Sequence, residues 1–347
     1  MNNSTITRSK APLRLGLAGG GTDLSPYCDI YGGAVLNATI NMYVHCTIIP
    51  LNNEKIIFQA NDRDEKFNSN IKSKFSLRGK LCLHKAVYNR IVSDFNNNIP
   101  LSIKIVTYSD APSGSGLGGS STLVVALIKA FTEYLSLPLG EYDIAHLAYE
   151  IERLDLKWSG GKQDQYAATF GGFNYIEFFK NDRVIVNPIR LKHWIINELE
   201  SWIVLYYTGD TRVSAKIIEE QNLNTTSSNK SSLISMHKIK SLAEDTKRAL
   251  ITGDMLNFSS ILQKSWINKK ATAKQVSNKK IEKIYSAAMK NGAIAGKISG
   301  AGGGGFMFYL VNPLNRNKLI KKLNSFEGQV YNFQFVSDGM KGWYVSK

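Results

Sequence analysis

The chain has 347 residues, with 43 lysines and arginines against 28 aspartates and glutamates, a formal net charge of 43 − 28 = +15. Hydrophobic residues at 43% and charged residues at 20% describe a globular chain long enough for two ordinary domains, which excludes disordered and collagen-like classes. No apolar run reaches the ~18 residues of a membrane span, and the opening MNNSTITRSK lacks the apolar core of a secretory signal. The reading is therefore cytoplasmic, and Cys28, Cys46 and Cys82, which lack disulfide or zinc spacing, are expected to be buried thiols.

In chain order, the first feature is a glycine-rich segment from Pro12 to Asp23. Residues 101–105 alternate apolar and polar as a strand with one buried face does. After a second glycine-rich turn, Ser120 to Leu135 carries Leu123, Leu127 and Phe131 at helical spacing. A further helix is expected over Glu141 to Lys157, with Ile144, Leu147, Ile151 and Leu154 as its stripe and Glu152 on the column of Ala145 and Ala148, where a carboxylate can face inward. Composition shifts near residue 190, which divides the chain into domains at 1–190 and 191–347. Trp202 to Tyr207 reads as a strand and Val213 to Gln221 as a helix start. The polar stretch 222–232 reads as a mobile loop. Helical patterns then run to Asn291, capped by Gly292. A third glycine run from Lys297 to Gly305 precedes an apolar strand, Phe306 to Val311.

Charge is uneven. Residues 1–190 hold 20 basic and 17 acidic side chains (+3), residues 191–347 hold 23 and 11 (+12), and eight lysines between Lys264 and Lys290 are opposed only by Glu282. That stretch reads as a solvated helical face that also attracts anionic ligands. It has few aromatics and matches no nucleic-acid reader motif.

The middle glycine turn, Pro112 to Thr122, is the strongest chemical signal because it opens a helix, where free N–H groups and the dipole favour phosphate. Its GxGxxG is not followed by the second strand and acidic residue of a dinucleotide fold, since 135–142 is the turn LSLPLGEY. Neither a GxxxxGK[ST] loop nor the His-Arg-Asp set of protein kinases occurs. A phosphate loop without its own lysine requires charge from elsewhere, and Ser120, Ser121, Thr122 and Glu152 are available to a metal ion. The plain alternative is that the serines cap the helix and that Asp164, in Gly161 to Ala167, only shapes a turn.

Together the three glycine segments and the Asp164 stretch resemble the GHMP kinases, the superfamily of galactokinase, homoserine kinase, mevalonate kinase and phosphomevalonate kinase. The resemblance spans nearly the whole chain. It implies an α+β GHMP kinase fold, with an N-terminal domain like domain 2 of ribosomal protein S5 and a ferredoxin-like C-terminal domain. It also implies ATP bound by Ser113, Gly114, Ser115, Gly116, Leu117, Gly118, Gly119, Ser120 and Ser121. By the same resemblance Asp164 is the general base, Arg14 its cationic partner, and Ser120 and Glu152 the magnesium ligands.

The start Arg14-Leu-Gly-Leu-Ala-Gly-Gly-Gly-Thr22-Asp23, the segment Tyr207 to Lys216 and the ending Asp338 to Trp343 resemble the heptose 7-phosphate kinase branch, and less closely the fucokinases. That branch implies phosphorylation of the anomeric hydroxyl of D-glycero-D-manno-heptose 7-phosphate, for nucleotide-heptose and surface polysaccharide synthesis, with ATP and a sugar phosphate as partners. Substrate contacts are expected from Gly20, Gly21, Thr22, Asp23, Gly300 and Gly302. Asp23 is expected to accept two sugar hydroxyls, and Lys162, Arg212 and Lys216 to offer charge to the second phosphate. The alternatives are a kinase of an unphosphorylated sugar and a sensor that binds ATP and sugar without transfer.

Overall fold

A computed structural model of the chain describes residues 5–210, 215–227 and 229–345. The first part builds one sheet from β1 (Ile6–Ala18), β2 (Gly33–Pro50), β3 (Lys55–Ala60), β4 (Glu65–Asn70), β5 (Ile103–Ser109), β6 (Phe173–Phe178) and β7 (Val184–Pro188). The second part supplies β8 (Ile203–Tyr207), β9 (Ala293–Ile298), β10 (Phe306–Val311) and β11 (Gln329–Tyr331). A last strand, β12 (Lys341–Val345), returns to pair antiparallel with β1 and completes eight strands in the first sheet.

The helices in chain order are α1 (Tyr27–Tyr31), α2 (Cys82–Phe95), α3 (Gly119–Tyr134), α4 (Glu141–Glu150), α5 (Gln163–Phe170), α6 (His193–Trp202), α7 (Ala215–Thr226), α8 (Lys230–Thr252), α9 (Met255–Lys270), α10 (Lys279–Lys290) and α11 (Arg316–Leu323). None is long and apolar enough to cross a membrane, among the described residues.

The long strand β2 organises the first sheet. Its first third pairs with β6, its last third with β5, and β1 runs alongside it. Against this sheet α3 buries Val124, Leu127, Ile128 and Phe131, the stripe that its spacing requires. The second sheet is antiparallel throughout in the order β11-β8-β10-β9, the 4-1-3-2 order of a ferredoxin-like half.

Three expectations need correction. The helix from Glu141 does not run regularly to Lys157: it passes into a π-helical turn at Ile151–Asp155, and this widening leaves Leu154 exposed instead of on the stripe. The polar stretch 222–232 is mostly helix, because α7 reaches Thr226 and α8 starts at Lys230 under an Asn229 cap, whose side chain accepts from the Ser232 N–H. Cys82 is half-buried, while Cys28 and Cys46 are buried.

Candidate active site

The middle glycine loop, the candidate phosphate loop, lies between β5 and α3. Gly118 caps α3 with no side-chain hydrogen bond, so the first N–H groups of the helix are left for a ligand. The serines do not act as caps: Ser120 Oγ donates to Glu152 Oε1 at 2.9 Å instead. Glu152 is buried, and Gln165 Nε2 donates to its other oxygen at 2.5 Å and to Ser121 Oγ at 3.1 Å. The π-helical turn is what carries Glu152 under the loop.

Arg14 stands on β1 between two irregularities of its pairing with β2, and such bulges re-aim a side chain. Its Nε (2.8 Å) and Nη2 (2.6 Å) donate to one oxygen of Asp164, Oδ1. Its Nη1 donates to the Gly116 carbonyl at 2.7 Å and to Ser299 Oγ at 3.2 Å, so one guanidinium ties β1, the phosphate loop and the third glycine run together. Arg14 is 4% exposed and Asp164 is 25% exposed. Asp164 Oδ2 accepts no protein hydrogen bond among the described residues and lies beside Gly118. Gly116 needs its missing side chain, because it sits at φ +81° and a Cβ there would lie 2.4 Å from the Ser299 carbonyl oxygen.

Three cavities adjoin one another here, two of them lined by this pair. An apolar one of about 710 Å³ is lined by Val44, Tyr108, Leu123, Ser113 and Trp158. A cleft of about 1390 Å³ follows the glycine loop past Ser120, Glu152 and Asp164. A smaller pocket of about 550 Å³ lies beyond, walled by Gly20, Gly21, Gln163, Lys269, Lys297 and Gly300. Arg14 and Asp164 line both the cleft and the smaller pocket.

Most of the expected site residues meet here. Gly114, Ser115, Gly116, Gly118, Gly119, Ser120 and Ser121 line the cleft, and Ser113 lines the apolar cavity. Leu117 does not: it is fully buried, and only its carbonyl takes part, accepting the Arg14 N–H. Gly20, Gly21, Asp23 and Gly300 line the smaller pocket. Thr22 and Gly302 do not, since Thr22 Oγ1 donates to the Gly19 and Ala34 carbonyls and Gly302 lies against the Val276 backbone.

Asp23 needs correction as a free sugar acceptor. Its oxygens already accept from the backbone N–H groups of Gly21, Lys162 and Gln163 and from Gln163 Nε2, all at 3.0–3.2 Å, which uses its roughly four lone-pair positions. Gly161 is required beside it, because a Cβ there would lie 1.9 Å from Asp23 Oδ2.

Lys162 also turns away from the pocket. Its ammonium is buried against Asp182 (2.6 Å) and Asp29 (3.5 Å), and although burial, the largest single influence, opposes its charge, the Asp182 bond together with Cys28 and Tyr149 outweighs it and raises its pKa. Lys216 is exposed on α7, and Arg212 lies outside the described residues.

Two residues went unassigned in the sequence. Lys269 and Lys297 are buried, and both line the smaller pocket. Lys269 was hidden in the lysine run, yet its spacing from Phe258, Leu262 and Ser265 puts it on the buried stripe of α9. A lysine at such a position is the signal that was available.

The glycine loop at an uncapped helix start, joined through an Arg–Asp pair to a second pocket, defines a phosphotransferase acting on a small molecule. Models described as GHMP kinases N terminal domain and GHMP kinases C terminal match residues 83–172 and 246–328. A D-glycero-alpha-D-manno-heptose 7-phosphate kinase of Campylobacter jejuni is 54% identical over 97% of this chain and 99% of its own length. A crystal structure described as a D-glycero-D-manno-heptose 1-phosphate kinase of Bacteroides thetaiotaomicron has a TM-score of 0.84 and 49% identity, covering 98% of this chain and 100% of that one. Lactococcus lactis galactokinase with galactose shares the fold, with a TM-score of 0.76 at 17% identity over 97% of this chain and 95% of that one. The chain belongs to the GHMP kinases, which use ATP.

Proposed function

We propose that this chain is a cytoplasmic, magnesium-dependent kinase that transfers the γ-phosphoryl group of ATP to the anomeric hydroxyl of D-glycero-D-manno-heptose 7-phosphate, giving the 1,7-bisphosphate. The observation that carries the reaction is the position of Asp164 on the wall common to the cleft and the smaller pocket, its Oδ1 held by Arg14 and its Oδ2 without a donor among the described residues. The sugar follows from the similarity to the Campylobacter enzyme over nearly the full length of both chains.

In this reading the adenine enters the apolar cavity beside Trp158 and the phosphates cross the N-terminus of α3. The acceptor sugar fills the smaller pocket. Asp164 Oδ2 takes the proton of the attacking hydroxyl while Arg14, within reach of both pockets, balances charge on the transferred group. Ser120 Oγ and Glu152 offer a hydroxyl and a carboxylate oxygen under the loop, and no cluster of three or more acidic, histidine or cysteine side chains is present among the described residues. That donor set fits magnesium: Ser120 Oγ and a Glu152 oxygen would hold the ion, which would supply positive charge against the ATP phosphates.

The test is ADP release with magnesium-ATP across heptose 7-phosphate, heptose 1-phosphate, free heptose, mannose 6-phosphate, galactose and fucose, with the product read by phosphorus NMR. Strong turnover with heptose 7-phosphate and a new anomeric phosphate is the expected result. Preference for galactose, fucose or the 1-phosphate overturns the substrate assignment.

A further inference from the structure

The smaller pocket holds more positive charge than phosphoryl transfer from ATP requires. Lys269, from α9, and Lys297, at the end of β9, are each only 4% exposed. Neither has a carboxylate within ion-pair distance among the described residues. Lys269 Nζ donates to the Gly20 carbonyl at 2.9 Å, and Lys297 Nζ donates to the carbonyls of Gly16 (2.9 Å) and Leu17 (3.4 Å). A buried ammonium holding only one or two carbonyl bonds keeps unused donor capacity and an uncompensated charge, a costly arrangement unless an anion completes it.

The carboxylates of the pocket are engaged elsewhere. Asp164 is bound to Arg14, and Asp23 has its oxygens filled by N–H groups. Burial pushes Lys269 down to about 8, with Asp23 opposing and Arg14 assisting, and pushes Lys297 down to about 7, with Lys269 and Arg14 assisting. Burial is the main cause of both shifts, and Asp23, which forms no ion pair with either lysine, only partly offsets it at Lys269.

Position separates this charge from the ATP side. Both lysines line the smaller pocket and neither lines the cleft along the glycine loop, while Arg14 and Asp164 stand between the two. Two ammonium groups with free donors match a dianionic phosphate, which has three acceptor oxygens.

We propose that Lys269 and Lys297 bind the phosphate that the acceptor sugar already carries, and so select a sugar phosphate over the free sugar. This rests on the heptose phosphate reading above. It moves the substrate-phosphate site from Lys162, whose charge is spent on Asp182 and Asp29, to a pair of lysines contributed by α9 and β9.

The test uses the full chain with Lys269→Met, Lys297→Met and the double change, each keeping the bulk of the side chain without its charge. With magnesium-ATP saturating, kcat/KM is measured for heptose 7-phosphate and for free heptose. Each single change is expected to lower kcat/KM for the phosphorylated sugar by roughly 10- to 100-fold, the worth of a charge-assisted hydrogen bond. The readout is the ratio of kcat/KM for the two sugars, which should fall because free heptose loses less than heptose 7-phosphate, and Lys297→Arg should recover part of that ratio. Equal loss on both sugars, or unchanged selectivity, overturns the proposal while leaving the kinase assignment intact. Should wild type turn over neither heptose, the functional reading fails first. Calorimetry with inorganic phosphate then decides the site, by phosphate binding that is lost in the double variant or by binding that is absent or unchanged. Circular dichroism melting confirms that each variant is folded.

Discussion

Asp164 presents two unlike oxygens: Oδ1 receives both guanidinium bonds from Arg14, while Oδ2 lies beside Gly118 with no donor among the described residues. Replacing it by asparagine keeps shape and removes the proton acceptor. Asp164→Asn is therefore expected to lower kcat by about 10²- to 10⁴-fold while the dissociation constant for ATP, read by calorimetry, stays within a few-fold of wild type. Near-normal turnover would remove Asp164 as the base and leave positioning by the loop as the main contribution. At this scale the sequence was informative where chemistry constrains residue type. Arg14, Ser120, Glu152 and Asp164 do converge on one place. It was silent where the same residue type serves two ends. Lys162 looked like a phosphate ligand and is an internal ion-pair partner, whereas Lys269 looked like one of eight surface lysines and is buried in the wall of the smaller pocket.

Elements rather than single side chains decide how Asp164 is aimed. Helix α5 begins at Gln163, and the Asp23 carboxylate, carried by the first glycine segment, accepts the N–H groups of Lys162 and Gln163 at its start. That contact ties the loop between β1 and α1 to the helix that carries Asp164. Asp23→Asn would set an amide N–H₂ or a single carbonyl against four donors, and should lower stability by about 1–2 kcal/mol, as lost helix caps do. Thermal melting reads that loss. The same variant should reduce kcat with little change in ATP affinity, because the phosphate loop is untouched. A rise confined to the sugar KM would instead show that Asp23 touches the sugar.

The fold was legible wherever a period could be read, as in α3, β5 and β10. It was not legible at 222–232, because α7 and α8 are each held there by polar contacts to Thr272, in the turn after α9. Gln221 Nε2 donates to Thr272 Oγ1, and Asn224 Nδ2 and Ser232 Oγ donate to the Thr272 carbonyl. Helix ends anchored to a turn by hydrogen bonds leave no hydrophobic stripe to read there. Nor does composition announce a π-helical turn, although the inward column of Ala145, Ala148 and Glu152 marked its consequence.

For the whole molecule, the two pocket lysines couple ligand binding to pH and stability. In the unfolded chain a lysine titrates near its ordinary value of about 10.5. In the folded protein Lys269 is pushed down to about 8, chiefly by burial, with Arg14 adding to that and Asp23 opposing it, while Lys297 is pushed down to about 7 by burial, Lys269 and Arg14. Between those values and about 10.5 the unfolded chain binds more protons than the folded one, so stability rises with pH across that window and is lost as pH falls toward 7. The buried His84, pushed down to about 3, acts in the same direction but only below its ordinary value near 6.5. Burial raises Cys28 to about 12, which reverses the trend only above about 9. A scan from about pH 7 to 8.5 thus isolates the lysines. The melting temperature of the ligand-free protein should climb over that range, and the climb should flatten in the Lys269→Met, Lys297→Met double variant. Inorganic phosphate binds the charged lysines, so its stabilising effect should be largest near pH 7 and shrink toward pH 8.5, with proton uptake on binding visible as a buffer-dependent heat in calorimetry. A flat melting profile, or a phosphate effect that grows with pH, would mean that the lysines keep their charge by some other partner and that the anion held in the pocket is not their counter-ion.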